Sequence, residues 1–107
     1  MGITKSNLFS KTDNRLALTA KALGHPARIA IIKHLLKVNA CICNDLVDII
    51  PLSQPTLSQH LKELKTAGII KGNVEGASIC YCINEKAIEP LKTLLEKISR
   101  HDNPICC

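Results

Sequence analysis

The chain has 107 residues, nearly half of them apolar but only Phe9 and Tyr81 aromatic, and a formal charge of +5. That describes one small domain with a core of Leu, Ile and Ala, which suits packed helices better than a sheet sandwich. No apolar stretch is long enough for a signal peptide or a membrane span, which argues against a secreted disulfide scaffold, so the six cysteines are expected to be reduced thiols of a cytoplasmic protein.

The positive charge is uneven. Residues 1–40 hold seven Lys or Arg against Asp13, whereas residues 41–68 set Lys62 and Lys65 against Asp45, Asp48 and Glu63. A basic chain of this kind favours a polyanion as partner. Residues 1–11 read as a frayed N-terminus apart from Leu8 and Phe9; Met1 to Ser6 fits an acylation pattern, but no second membrane signal accompanies it. From Thr12 the chain turns helical, with Leu16, Ala20 and Leu23 on one face and Gly24 as the stop. Pro26 opens a second helix with a stripe of Ile29, Ile32 and Leu36, widened by Ala30, Ile31 and Leu35, while Arg28, Lys33 and Lys37 are expected to face out. Cys41-Ile42-Cys43 leads into a short helix from Asn44 to Ile50, with Leu46, Val47 and Ile50 on its apolar side and Pro51 as its end.

The next segment is the best punctuated of the chain. Ser53 is placed to cap a helix, Pro55 fits its first turn, Leu57, Leu61 and Leu64 form one apolar stripe, and Gly68 supplies a left-handed stop. Its other face carries Gln54, Thr56, Ser58, Gln59, His60 and Lys62. A merely solvated helix would more often show Glu and Lys; amides and hydroxyls near a helix N-terminus are groups that read base edges in a major groove. With the short helix before it, this makes a helix-turn-helix. Residues 69–71 and 78–83 read as two strands joined by a turn at Gly72, Asn73 and Gly76, a wing behind the helix. Asn84 is placed to cap the last segment, Pro90 to interrupt it, and a helix is expected from about Pro90 to Arg100, with Ile88, Leu91, Leu94, Leu95 and Ile98 as its stripe. So apolar a terminal helix wants a partner, and with the first helix it is expected to build a two-fold dimer that sets two such helices on successive groove turns.

The expected fold is therefore mainly α with a small β-hairpin, a winged helix-turn-helix of five helices plus wing acting as a homodimer. Residues 12–100 form the DNA-binding domain and residues 101–107 a flexible tail that contains Cys106 and Cys107. The chain resembles the ArsR/SmtB family of winged-helix repressors over about residues 15–100. The matching words are Ala22-Leu23-Gly24-His25-Pro26-Ala27-Arg28, Asn44-Asp45-Leu46, the run from Leu52 to Leu64, and Ala67-Gly68-Ile69-Ile70, with Gly76 and Tyr81 in the wing. The resemblance implies a homodimer on double-stranded operator DNA that lets go when a metal, metalloid or thiol-reactive signal arrives. It implies base-reading positions at Ser53, Gln54, Thr56, Ser58, Gln59 and His60, and phosphate contacts from Lys62, Lys71 and the turn around Asn73.

Cys41 and Cys43 are similar to the family's Cys-x-Cys at the start of the third helix, which takes soft ions such as As(III), Sb(III), Cd(II) or Pb(II); here Asn44 intervenes before Asp45-Leu46. Cys106 and Cys107 are the candidates to complete a three-sulfur site for As(III) or Sb(III), the expected effectors; no constitutive cofactor is expected. Cys80 and Cys82, two apart on a strand, point to one face and read as small buried hydrophobes more readily than as ligands. The zinc and nickel branch of the family uses paired histidines on its last helix, and this chain offers Glu89, Glu96 and His101 there instead. Two rival functions stay open: a thiol redox or persulfide sensor of the same fold, and an interaction or metal-carrying module without sequence-specific DNA binding. No converging Ser/His/Asp or Cys/His set supports an enzyme.

Overall fold

Ser10 starts the first helix. Its backbone is extended, and its hydroxyl accepts the amide of Asp13 at 3.0 Å, so α1 runs Lys11–Leu23 and ends at Gly24. The computed structural model describes residues 8–38, 42–43, 49–75 and 78–101. Pro26 opens α2, Pro26–Val38, where its missing amide has no intrahelical partner to lose. Helix α3, Gln54–Thr66, follows Ser53, and α4 spans Glu85–Ser99. The strands are β1 (Ile42–Cys43), β2 (Ile70–Glu75) and β3 (Ser78–Ile83), forming an antiparallel sheet in the order β1-β3-β2. The arrangement is a mostly helical winged helix-turn-helix.

Four helices appear among the described residues, where five were expected; of the short helix over 44–50, residues 44–48 lie outside them, and Ile49 is helical at its far end. Ile50 is buried in the core with Ala22, Ile31, Leu35, Leu57, Leu61, Leu64, Ile69 and Ile70. Each such Leu or Ile contributes about 1.5–3 kcal/mol by leaving water, so α3 is held chiefly through Leu57, Leu61 and Leu64.

Several local expectations are corrected. The inward side of α2 is Ile31 and Leu35, while Ile29 and Leu36 are exposed, Leu36 at 62%. That helix has a broad apolar arc, and periodicity alone does not choose which part of it meets the core. Strand β2 continues through Gly72 and Asn73 to Glu75, so these residues belong to the wing's ladder and not to its turn. Tyr81 lies directly across from Gly72, where an aromatic can cover the backbone that a glycine leaves bare. Helix α4 begins at Glu85 and passes through Pro90, which sits early enough that one backbone bond near the N-terminus is the loss. The two-residue β1 was not anticipated; so short a strand has no periodicity to read.

At the end of α3, Gly68 takes φ 82°, a left-handed backbone that favours glycine. The Ile69 amide then returns to the Leu64 carbonyl at 3.0 Å, and Asn84 holds the junction: its amide donates to Ile69 and its Nδ2 to the Gly68 carbonyl, at 2.8 and 3.0 Å. Asn84 stands at the N-cap of α4, yet its side chain bonds across to this turn instead of to the helix it precedes. The result fixes α3, β2 and the start of α4 at one point.

Candidate nucleic-acid interface

Helix α3 presents two chemically distinct sides. Inward go Leu57, Leu61 and Leu64. Outward go Ser53, Gln54, Thr56, Ser58, Gln59 and Lys62, all exposed, and Lys71 is exposed at the start of the wing. Seven of the nine positions expected to touch DNA therefore lie free on the surface, six of them on or just before one helix.

Their hydroxyls and amides are held by short local bonds. Ser53 Oγ donates to Thr56 Oγ1 at 3.0 Å, Gln54 Nε2 to Ser58 Oγ at 3.1 Å, and Gln59 Nε2 to Glu63 Oε1 at 3.1 Å. Ser53 is the N-cap residue, but its side chain makes no bond to a helix amide, so the cap expected of it is a contact to Thr56. The first-turn amides of α3 are thus left without that side-chain acceptor, at the helix end where the macrodipole favours an anion.

Two of the nine positions differ. Asn73 sits inside β2, opposite Cys80, and not in a turn. His60, expected on the outer face, is buried with 9% of its surface exposed. Its Nδ1 accepts from Arg28 Nε at 3.2 Å, and its ring lies against His25 with centroids 4.3 Å apart, tilted by 48°. Arg28, expected to face out, is half-buried and also donates from Nη1 to the Ala22 carbonyl at 3.2 Å. Accepting at Nδ1 from a guanidinium requires a neutral imidazole, and burial lowers the His60 pKa below its ordinary 6.5, with His25 and Arg28 adding to the effect. This group anchors α3 to α2 and the end of α1, and the His60 ring is turned into that anchor and not out to the exposed face. The sequence carried a signal for it, because His60 stands three residues after Leu57 and four before Leu64, on the inward stripe.

The sulfur chemistry divides likewise. Cys41, Cys106 and Cys107 lie outside the described residues, and Cys43 is placed by its backbone in β1, opposite Cys80. Cys80 is buried and Cys82 half-buried, and both are disulfide-bonded, not free thiols as expected. Among the described residues no group of three or more His, Cys, Asp or Glu side chains gathers as a metal site. None of the helices among the described residues is long and apolar enough to cross a membrane.

A second unusual surface is apolar. Leu18 of α1 and Leu94, Leu95 and Ile98 of α4 are exposed, Ile98 at 61%, with Leu8 and Phe9 also uncovered just before α1. Helices α1 and α4 pack on each other, so these side chains belong to neighbouring helices.

Comparison with known proteins agrees with the fold. Residues 25–71 match the model of the family described as bacterial regulatory protein, arsR family. An HTH-type transcriptional repressor, SmtB, of Mycobacterium tuberculosis is 43% identical over 61 residues, covering 57% of this chain and 44% of the repressor; the match thus spans less than half that relative's length. The cadmium resistance transcriptional regulatory protein CadC homolog of Staphylococcus aureus is 33% identical over 102 residues, 94% of this chain and 81% of its own. The arsenical resistance operon repressor of Bacillus subtilis is 33% identical over 92 residues, 85% and 83%. Among solved structures, an ArsR family transcriptional regulator superposes with a TM-score of 0.73 at 17% identity, covering 85% of this chain and 93% of its own, a likeness of fold.

Proposed function

The chain belongs to the arsR family of bacterial regulatory proteins, and from that premise we propose that it is a dimeric repressor which binds operator DNA through α3 and releases it when a thiophilic metalloid or metal binds its cysteines. The observation that carries the DNA half of this reading is the outer face of α3: Gln54, Thr56, Ser58 and Gln59 offer hydrogen bonds from a helix whose other side is locked into the core. Glutamine amides pair with adenine edges, hydroxyls with either base type, and Lys62 and Lys71 supply phosphate contacts. Asn73 remains a candidate phosphate contact from the wing.

One helix reads about half a site. Two copies joined through the exposed Leu18, Leu94, Leu95 and Ile98 would bury that apolar surface and set two α3 helices on one side of the duplex. The chain is then a regulator and not an enzyme.

The effector half rests on thiol chemistry. Cys41 and Cys43, with Cys106 and Cys107 as completing donors, form the candidate ligand set, and As(III) or Sb(III) is the best fit to three sulfurs. The names of the cadmium and arsenical relatives point the same way. A bound ion adds its own preference for one arrangement of the dimer, and the operator loses affinity to the extent that this arrangement misfits successive grooves. A second reading, release by thiol oxidation, is favoured by one observation, the disulfide bonds at Cys80 and Cys82.

The test is fluorescence anisotropy of reduced protein with a palindromic fragment from its own promoter, titrated in turn with As(III), Zn(II) and a mild oxidant. Release by As(III), abolished in Cys41→Ser or Cys43→Ser, supports the metalloid reading. Release by oxidant alone transfers the function to redox sensing, and absence of salt-dependent binding to any fragment rejects both.

A further inference from the structure

Cys80 and Cys82, which read from the sequence as small buried hydrophobes, have a neighbourhood in the sheet that suits sulfur chemistry. Strand β3 is the central strand of the sheet, and Cys80 is paired on one side with Asn73 and on the other with Cys43. Directly opposed residues of an antiparallel pair bring their Cβ atoms to about 4.5–5.5 Å, and a residue two along the same strand falls on the same face. Cys80 and Cys82 therefore share a face of the strand next to β1, Cys80 only 2% exposed, and each already has a second sulfur within bonding distance, since both are disulfide-bonded.

Thiols close enough to join when oxidised are close enough to chelate one ion when reduced. A soft ion with metal–sulfur bonds of about 2.3 Å asks its thiolates to stand only slightly further apart than two unbonded sulfurs in contact. We propose that Cys43, Cys80 and Cys82 form a sulfur site between β1 and β3, closed when oxidised by a disulfide between Cys43 and Cys80 with Cys82 joined to a further cysteine, and open to a thiophilic ion when reduced. This assignment rests on the metal-responsive reading above and sharpens it, because it takes the completing donors from the wing and not from the C-terminal tail. Cys41 is the remaining candidate donor in the same Cys-x-Cys.

The chemistry balances with a low-molecular-weight dithiol as reductant. For each disulfide opened, the dithiol gives two electrons and two protons, one S–S bond breaks in the protein, one forms in the reductant, and two protein thiols result. Ion binding then displaces the thiol protons to solvent. The location gives the site a mechanical reach: β1 leads toward the helix-turn-helix, and β3 pairs throughout its length with β2, the strand that leaves α3 through Gly68.

The experiment is a titration of the full chain with Cd(II), read by ultraviolet thiolate-to-cadmium charge-transfer absorbance, which needs no DNA. Four proteins are compared after reduction by dithiol and buffer exchange: wild type, Cys80→Ala, Cys82→Ala and the double variant Cys106→Ala with Cys107→Ala. Wild type is also titrated oxidised. Expected are a saturating band in the reduced wild type and tail variant, Cd(II) binding weakened about tenfold or more in Cys80→Ala and Cys82→Ala, and no band in the oxidised protein until it too has been reduced and exchanged into dithiol-free buffer. Cys82 is half-buried, so Cys82→Ala keeps the test open if Cys80→Ala fails to fold. Peptide mapping of the oxidised wild type adds a check without substitution, with Cys43 joined to Cys80 expected. Wild-type titration by both wing variants, or an unaltered band in oxidised protein, overturns the site; if the tail variant alone loses the band, this site fails while the metal reading survives. No band in any reduced protein overturns both, and operator binding by anisotropy then judges the DNA reading separately.

Discussion

The outer face of α3 and the outer face of α1 with α4 are both solvent-facing helical surfaces, and they are built from opposite materials. The first shows amides, hydroxyls and a lysine over a buried leucine stripe; the second shows Leu18, Leu94, Leu95 and Ile98 with no cover. Exposing a polar face costs a helix nothing, whereas an apolar one withholds about 25 cal/mol for each Å² it could bury. The polar face is therefore finished as it stands, while the apolar face leaves surface that a second copy would cover in the proposed dimer. In that proposal reading DNA depends on both, because the apolar face would set the spacing at which the polar faces work.

The sharpest way to break this pairing is to charge the apolar face. Leu95→Asp with Ile98→Asp is expected to leave a folded monomer by sedimentation, since both positions are exposed within one chain. Operator affinity should then fall by about 10²–10⁴-fold, the advantage of binding two half-sites through linked modules. An unchanged sedimentation coefficient would show that the apolar face is not the dimer contact.

Altering the polar face should act differently. Gln54→Ala and Gln59→Ala are each expected to cost about 1–3 kcal/mol in operator binding, with the loss confined to certain base pairs and the dimer intact. Both amides already bond within the helix, to Ser58 and Glu63, so DNA must offer more than these exposed contacts supply. Loss that is uniform over all operator sequences would mean that they position the helix and do not read bases. Lys62→Ala and Lys71→Ala should have the smaller, sequence-blind effect: a salt dependence of binding less steep by about one unit each.

The architecture was legible in the sequence because its marks are local: the Leu57, Leu61, Leu64 stripe, the Gly68 stop and Pro26 at the start of α2 are all where physics wants them. The outer face of α3 was legible for the same reason, its polarity being out of phase with the stripe. Errors arose where a residue's partner is remote in sequence. Helix α2 is apolar on two sides, and only packing shows that Ile31 and Leu35 face in while Leu36 faces out. The Asn84 side chain chose the Gly68 carbonyl, sixteen residues away, over its own helix. The strand pairing that sets Cys43 against Cys80 spans the whole helix-turn-helix, and no spacing rule announces it.

His60 is the most instructive of these cases, and it carries the smallest predicted effect. It sits where the two sides of α3 meet, and Arg28, thirty-two residues away, decides that it belongs to the interior. Burial opposes its protonation most, followed by the neighbouring His25 and Arg28, while Glu63 favours it. The folded state therefore holds a neutral imidazole with a pKa below 6.5, while the unfolded chain takes up a proton near that ordinary value. Between those two values the unfolded state binds more protons, so stability is full above about pH 6.5 and declines as pH falls through the window beneath it. Urea unfolding at about pH 7.5 and about pH 5.5 should show a modest lowering of the midpoint for wild type at the acid end. In His60→Gln, which keeps an acceptor for Arg28 but has nothing to titrate, that difference should shrink. An equal shift in both proteins would assign the acid sensitivity to groups other than this buried ring.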